Sequence, residues 1–278
     1  MYNINPFVEL SASIDYSIIQ TYIIVMALLV AGGTLFDIVH KRSAKYFFNN
    51  WQKSKSNAKQ KISGGKMASV AIQTALEGMA SAEFCSLRRR IAHLLTMYGF
   101  IAYAAATAIM VFGYSTSATP AILANLWHLG ALMVCVGGYW FWFFIRVDVS
   151  AEGNSPFRLV RADLFVVSLT SSTTFALIWA YAQTIGNATW TILFLGLYIL
   201  TTTVLFGSVP WSKFSHMFFK PAAALEKKMS VANGSRNNLP EPVDRTRYAD
   251  SEKHSMKLLK DAPHSMGLGI KREKPSHY

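Results

Sequence analysis

The chain has little charge and almost no cysteine. Of its 278 residues, 15% are Asp, Glu, Lys or Arg and 52% are hydrophobic, where an ordinary soluble domain carries ~25% charge. That deficit excludes a soluble globular protein as the simplest class. The two cysteines, Cys85 and Cys135, form no CxxC pair, which excludes an iron–sulfur cluster or thiolate zinc site built by this chain alone. Acidic residues are nearly missing from the apolar stretches, so no proton relay crosses them and a pump is disfavoured. There is no glycine-rich nucleotide motif and no internal repeat. The first 16 residues hold two acids and no Lys or Arg, so no positive region precedes a cleavable signal.

What is present is a set of five long apolar stretches, at about 17–36, 91–113, 125–145, 163–183 and 189–209. Each is close to the ~20 residues a membrane-spanning helix requires. The segments between and around them carry Lys+Arg counts of 0, 11, 0, 3, 0 and 13 in order. Basic residues stay on the cytoplasmic side of short membrane loops, so the alternation predicts an N-terminus outside and a C-terminus inside. The same bias accounts for the net charge of +12, which in a soluble protein would suggest nucleic acid. Basic flanks also favour anionic lipid and an acidic partner protein.

The expected fold is an all-α integral membrane protein, a five-helix transmembrane bundle. Residues 1–221 form the membrane domain, with a cytoplasmic insert at 37–90, and residues 222–278 a basic tail with little fixed structure of its own. Residues 67–84 read as an amphipathic helix, resting on the membrane or under a partner subunit. Trp127, Trp190, Trp211 and Tyr114 lie near span ends and read as an aromatic belt. The outer loops are short, so a soluble partner docks on the inner side.

Ionisable residues within spans are functional candidates because burying them in lipid is costly. His93 opens span two in RRRIAHLLTMYGF, and His216 follows span five in VPWSKFSHMFFKP. By the charge count both lie at the inner face. Two histidines from separate helices at one depth can supply the axial nitrogens of a b-type haem. They are equally compatible with interfacial polar residues. Leu94, Met97, Phe100, Phe206, Phe214 and Phe218 offer apolar walls, and Arg89, Arg90 and Lys213 offer cations for the propionates. His40, ending span one, is the reserve partner. His254, His264 and His277 fall in the polar tail and read as solvated. Gly99, Gly137 and Gly138 read as helix-packing positions, and Asp163 as a cap for span four beside Arg161.

The five-span plan, with RRIAHLLTMYGF opening span two, RLVRADLFVVSL entering span four and PWSKFSHMFFKP closing span five, resembles the gamma subunit of respiratory nitrate reductase. It also resembles related membrane cytochromes of dissimilatory sulfur metabolism, and is most similar to the membrane anchors associated with adenylylsulfate reductase in sulfur oxidisers. The resemblance covers roughly residues 17–221 without much of the 41–87 insert. It implies that His93 and His216 are the inner pair of haem ligands. The outer pair would fall ten residues after His93 and eighteen before His216, at positions held by Tyr103 and Tyr198. The resemblance therefore implies one haem b on the inner side.

His128, opening span three in NLWHLGALM, has three readings: an interfacial histidine beside Trp127, a donor to a quinone carbonyl in an outer site shared with Tyr103 and Tyr198, or a ligand of a second haem. The implied function is that of a membrane anchor and electron-transfer subunit. It would pass electrons between a cytoplasmic flavin/iron–sulfur enzyme and the quinone pool of a bacterial inner membrane, with no catalytic residue of its own. The alternatives are a haem-free scaffold holding a cytoplasmic complex and a cytochrome b of the heterodisulfide-reductase or nitrate-reductase type. A transporter is disfavoured, because five spans give no repeat symmetry and no pair of broken helices.

Overall fold

The computed structural model describes residues 4–40, 43–82, 84, 86–114, 119–148, 153, 155–211, 216–237 and 239. These are helical throughout, with no strand among the described residues. Five helices are long and apolar enough to cross a membrane: α2 (Tyr16–His40), α5 (Leu87–Gly113), α6 (Ala121–Trp140, extended to Ile145 by a π-helical turn), α7 (Leu164–Thr184) and α8 (Ala188–Gly207). The chain is a multi-pass, all-helical membrane protein. α5, α6, α7 and α8 pack pairwise in chain order, and α2 lies against α8 and α5, so the spans form one bundle.

The closest helix pair is α5 with α6, because glycines line their crossing. A Cβ on Gly130 would lie 2.7 Å from Tyr103 N and 2.8 Å from Gly99 O, and one on Gly99 would lie 2.8 Å from Gly130 O. Gly137 sits the same way against Ala92 and Thr96. Small residues let two backbones touch where lipid offers no hydrophobic drive to association. α6 meets α7 through Gly138 against Thr170 and through the Cys135 thiol, 3.4 Å from the Thr173 and Thr174 hydroxyls. α7 meets α8 through the Ser172–Thr202 hydroxyl pair at 2.7 Å. Such hydroxyl pairs are the polar joints of membrane bundles.

The N-terminal end of the bundle is plugged by a short helix, α1 (Pro6–Leu10). Asn5 caps it by accepting from Phe7 N, and Pro6 starts it where no backbone N–H is needed. Phe7 inserts between Trp127 and Trp179, at ring-centre distances of 6.0 and 5.6 Å. Both tryptophans are fully buried. Trp127 is thus a core residue and not part of an aromatic belt, because α1 covers it; Trp190 and Trp211 are exposed.

At the opposite end lie the basic segments. The turn between α6 and α7 is tied down by Arg146, which is 1% exposed. Its guanidinium donates to Ser155 O, Arg158 O and Asp163 Oδ2 and lies over the Trp142 ring. Asp163 also accepts from Val160 N at 2.9 Å. Its cation partner is Arg146, at 2.6 Å, and not the neighbouring Arg161.

Three further helices gather at this end: α3 (Ser43–Ser56), α4 (Gly64–Met79) and α9 (His216–Ala232). α4 begins earlier and ends sooner than the expected 67–84. α9 runs well past the boundary at 222 drawn for a tail of little fixed structure. The physical reason is local: AAALEKKM is strongly helix-forming, and Gly234, at φ +73°, ends the helix in the left-handed conformation that glycine adopts at low cost. Lys228 of α9 pairs with Glu77 of α4, which holds the Glu77 carboxyl below its ordinary range. Asn233 donates to Ser54 O and Oγ of α3. Residues 240–278, with His254, His264 and His277, lie outside the described residues, as do Cys85, Lys213 and Phe214.

Candidate functional site

His93 sits in the second turn of α5. Positions 93, 97, 100 and 104 fall on one stripe of that helix, since 3.6 residues make a turn. Phe100 and Ala104 of this stripe line a cavity between α2, α5 and α8. His93 therefore stands at the foot of the cavity-facing side of α5, about 10 Å below Phe100 at ~1.5 Å per residue. Its side chain is exposed at the basic end of the bundle.

The ring of His93 is held by the turn at the C-terminal end of α4. Its Nδ1 lies 2.8 Å from Ser81 Oγ, and its face lies 5.0 Å from the Phe84 ring. Ser81 is 1% exposed and has φ +49°, in the left-handed region that disfavours a residue with a Cβ. Such strain is found where surrounding structure demands it, and often at functional sites. Two more bonds fasten the same turn: Tyr98 Oη donates to Met79 O at 3.0 Å, and Arg90 Nε to Ala80 O at 2.9 Å. Together they satisfy carbonyls that a helix end leaves without intrahelical partners. Ser81→Ala, which removes the hydroxyl and keeps the strain, is expected to lower stability by ~1 kcal/mol. Ser81→Gly, which also relieves the strain, is expected to melt above Ser81→Ala. Thermal unfolding in detergent compares the two.

His216 is the first residue of α9, and its side chain lies outside the described residues. One turn further on, Lys220 Nζ lies 5.5 Å from the Phe84 ring that packs on His93. Lys220 of α9 and His93 of α5 thus share Phe84 as a neighbour. The cations expected near a haem edge divide: Arg90 is engaged with Ala80 O, Arg89 is half-buried on α5, and Lys213 lies outside the described residues. The wall residues Leu94, Met97, Phe100 and Phe206 are half-buried. His40 ends α2, stacked on Phe36 at 5.3 Å.

Nearer the N-terminal end, Tyr103 and Tyr198 meet. Tyr103 Oη donates to Tyr198 Oη at 2.7 Å, and both rings are buried. Trp127 lies 5.2 Å from Tyr103 and Trp179 stacks on Tyr198 at 5.7 Å. With Phe7 these five rings close a loop across the bundle. Elsewhere α5 and α8 stay apart, and the cavity of about 290 Å³ fills the gap, lined almost wholly by apolar atoms. Among the described residues, no histidine lines it.

His128 does not join Tyr103 and Tyr198. Its neighbour Trp127 takes the inward position, and His128 opens onto a separate groove of about 530 Å³ between α6 and α7, with Asn125, Leu132, Leu177 and Tyr181. Its Nδ1 lies 2.8 Å from Ala124 O. A carbonyl only accepts, so Nδ1 carries a proton.

Sequence reasoning missed Ser81, Phe84, Tyr98 and Lys220, which surround or brace the start of α5. The serine at a helix C-terminus carries no pattern, and no signal in the sequence announces it. The chain matches no protein-family profile, no curated protein and no solved structure.

Proposed function

We propose that this protein is the membrane anchor and electron-transfer subunit of an oxidoreductase, lying in a bacterial inner membrane with its basic end in the cytoplasm. It would exchange electrons between a soluble flavin/iron–sulfur enzyme, with adenylylsulfate reductase the leading candidate, and the quinone pool, through one haem b. The observation that carries the reading is the setting of His93: at the foot of the α5 stripe, its Nδ1 on a strained, buried Ser81 and its ring against Phe84, which Lys220 of α9 also approaches.

The residues fit such a group. A bis-histidine haem b supplies a one-electron couple that needs no protein nucleophile. Were Nδ1 of His93 to donate to Ser81 Oγ, Nε2 would be the nitrogen to hold the iron, and the bond would fix ring tautomer and orientation. His216, at the start of α9, would be its partner. Arg89, Arg90 and Lys213 are the cations at the level of the propionates. Towards the other face, a quinone would be met by His128 in the groove between α6 and α7. Tyr103 Oη, donating to Tyr198 Oη, ties α5 to α8.

His93→Ala and His216→Ala are each expected to remove bound haem from the purified protein, and Ser81→Ala to weaken its retention by about tenfold to a hundredfold, the usual effect of losing a ligand's supporting hydrogen bond. Haem quantified per chain reads all three. Full haem content in either histidine variant sinks that assignment. A second reading, a haem-free scaffold, is favoured by one feature: α3, α4 and α9 form a layer at the basic end in which Lys45, Lys53, Lys55, Lys59, Lys61 and Lys66 precede any acidic side chain. In that case the partner is an acidic protein surface and the histidine variants are silent.

A further inference from the structure

The cavity between α2, α5 and α8 has the shape and chemistry of a hydrocarbon sleeve. It follows α2 from Ile18 to Val30 and α8 from Leu195 to Phe206, about 17 Å along the spans at ~1.5 Å per residue. α1 closes its N-terminal end with Phe7 and Leu10. The hydroxyls in its lining are turned to protein partners: Tyr22 donates to Ile199 O, Tyr103 to Tyr198, Thr107 to Tyr103 O, and Ser172 pairs with Thr202. Little is left to recognise a polar head.

A cavity lined in this way stays dry, and where it opens between the spans bilayer hydrocarbon has access to it. Exposed Ile18 and Ile199 lie on its rim, where it meets the bilayer. α2 covers it with few buried residues, Ile19, Met26 and Asp37, so this is the most easily parted wall.

We infer that the cavity is a binding site for one aliphatic chain, lying parallel to the spans and completing the packing of α2 on α5 and α8. The chain is a phospholipid acyl tail or a polyisoprenoid tail; both present the same saturated or methyl-branched surface to these residues. The site is argued from the cavity alone, although it shares Phe100 and Phe206 with the walls named for the haem.

The test is solvent extraction and mass spectrometry of the purified full chain after exhaustive detergent exchange, with haem measured on the same samples. The wild type is expected to retain about one chain-bearing lipid per protein, and its identity separates phospholipid from polyisoprenoid. Ala104→Phe, which fills the cavity from α5, is expected to retain at least tenfold less, with haem content unchanged. Ala104→Leu, a smaller filling, guards against misfolding of the first variant and is expected to fall between them. A wild type that retains no such lipid, or a filled variant that retains as much, overturns the site. So does a filled variant that loses haem in proportion, which would give the cavity to the haem.

Discussion

Asp163→Ala is expected to destabilise the protein by about 3–5 kcal/mol, the usual result of removing one member of a buried ion pair. Arg146 is 1% exposed, and the side chain of Asp163 13%. Without the carboxylate, a guanidinium remains at the end of two spans with only backbone carbonyls and the Trp142 ring to hold its charge. The variant also frees Val160 N at the start of α7. Asp163→Asn, which keeps an acceptor oxygen and loses the charge, is expected to lose less. Arg146→Met, which removes the buried charge itself, is expected to be milder than Asp163→Ala. Detergent-resistant unfolding monitored by helical circular dichroism ranks the three. If Asp163→Ala is no less stable than Arg146→Met, the ion pair is not what fixes this turn.

The second large effect belongs to Gly130. Any side chain there meets backbone, Tyr103 N at 2.7 Å and Gly99 O at 2.8 Å, and backbone cannot yield as a flexible side chain can. Gly130→Ala is expected to cost about 1–3 kcal/mol through overpacking, and Gly130→Leu to prevent α5 and α6 from assembling. Because Tyr103 is the residue pushed, the Tyr103–Tyr198 bond should fail with it. Gly196→Ala, where a Cβ meets nothing within 4 Å, is the matched control and should be near neutral. Expression yield and thermal unfolding distinguish steric exclusion at this crossing from a general intolerance of alanine.

The five spans are legible because lipid imposes one rule on every backbone group, and continuous apolar runs are its direct expression. The run at 189–209 is α8 at Ala188–Gly207, and that at 17–36 is the middle of α2. The helices at the basic end are harder. α9 is hidden by averaging over a tail rich in Lys, Asn, Ser and Pro, although AAALEKKM followed by Asn233 and Gly234 spells a helix and its stop. α1 is written in Asn5-Pro6, a cap followed by the residue favoured at the first helical position, yet five residues carry no periodicity to announce it.

The site divides in the same way. The resemblance alone pairs Tyr103 with Tyr198, and they meet in the core, through a mutual hydrogen bond that no local pattern encodes. His128 stands at a similar depth, which is what groups it with them in the sequence. Depth does not determine facing: Trp127 is one position earlier, and ~100° of helical rotation sends the two side chains to different sides of α6. Proximity in sequence pairs Asp163 with Arg161, whereas the buried partner, Arg146, arrives from the preceding span. Ser81 lies between helices, where side-chain contacts are set by the tertiary fold alone.

The account rests on His93 and His216 holding one low-spin haem b, and a reduced-minus-oxidised optical spectrum of the purified protein, from a host supplied with haem, tests it most directly. The expected result is the sharp α-band of a bis-histidine b-type cytochrome at about one haem per chain. A protein that purifies colourless, folded and in its normal yield would contradict it, and would leave the basic layer of α3, α4 and α9 as the functional surface.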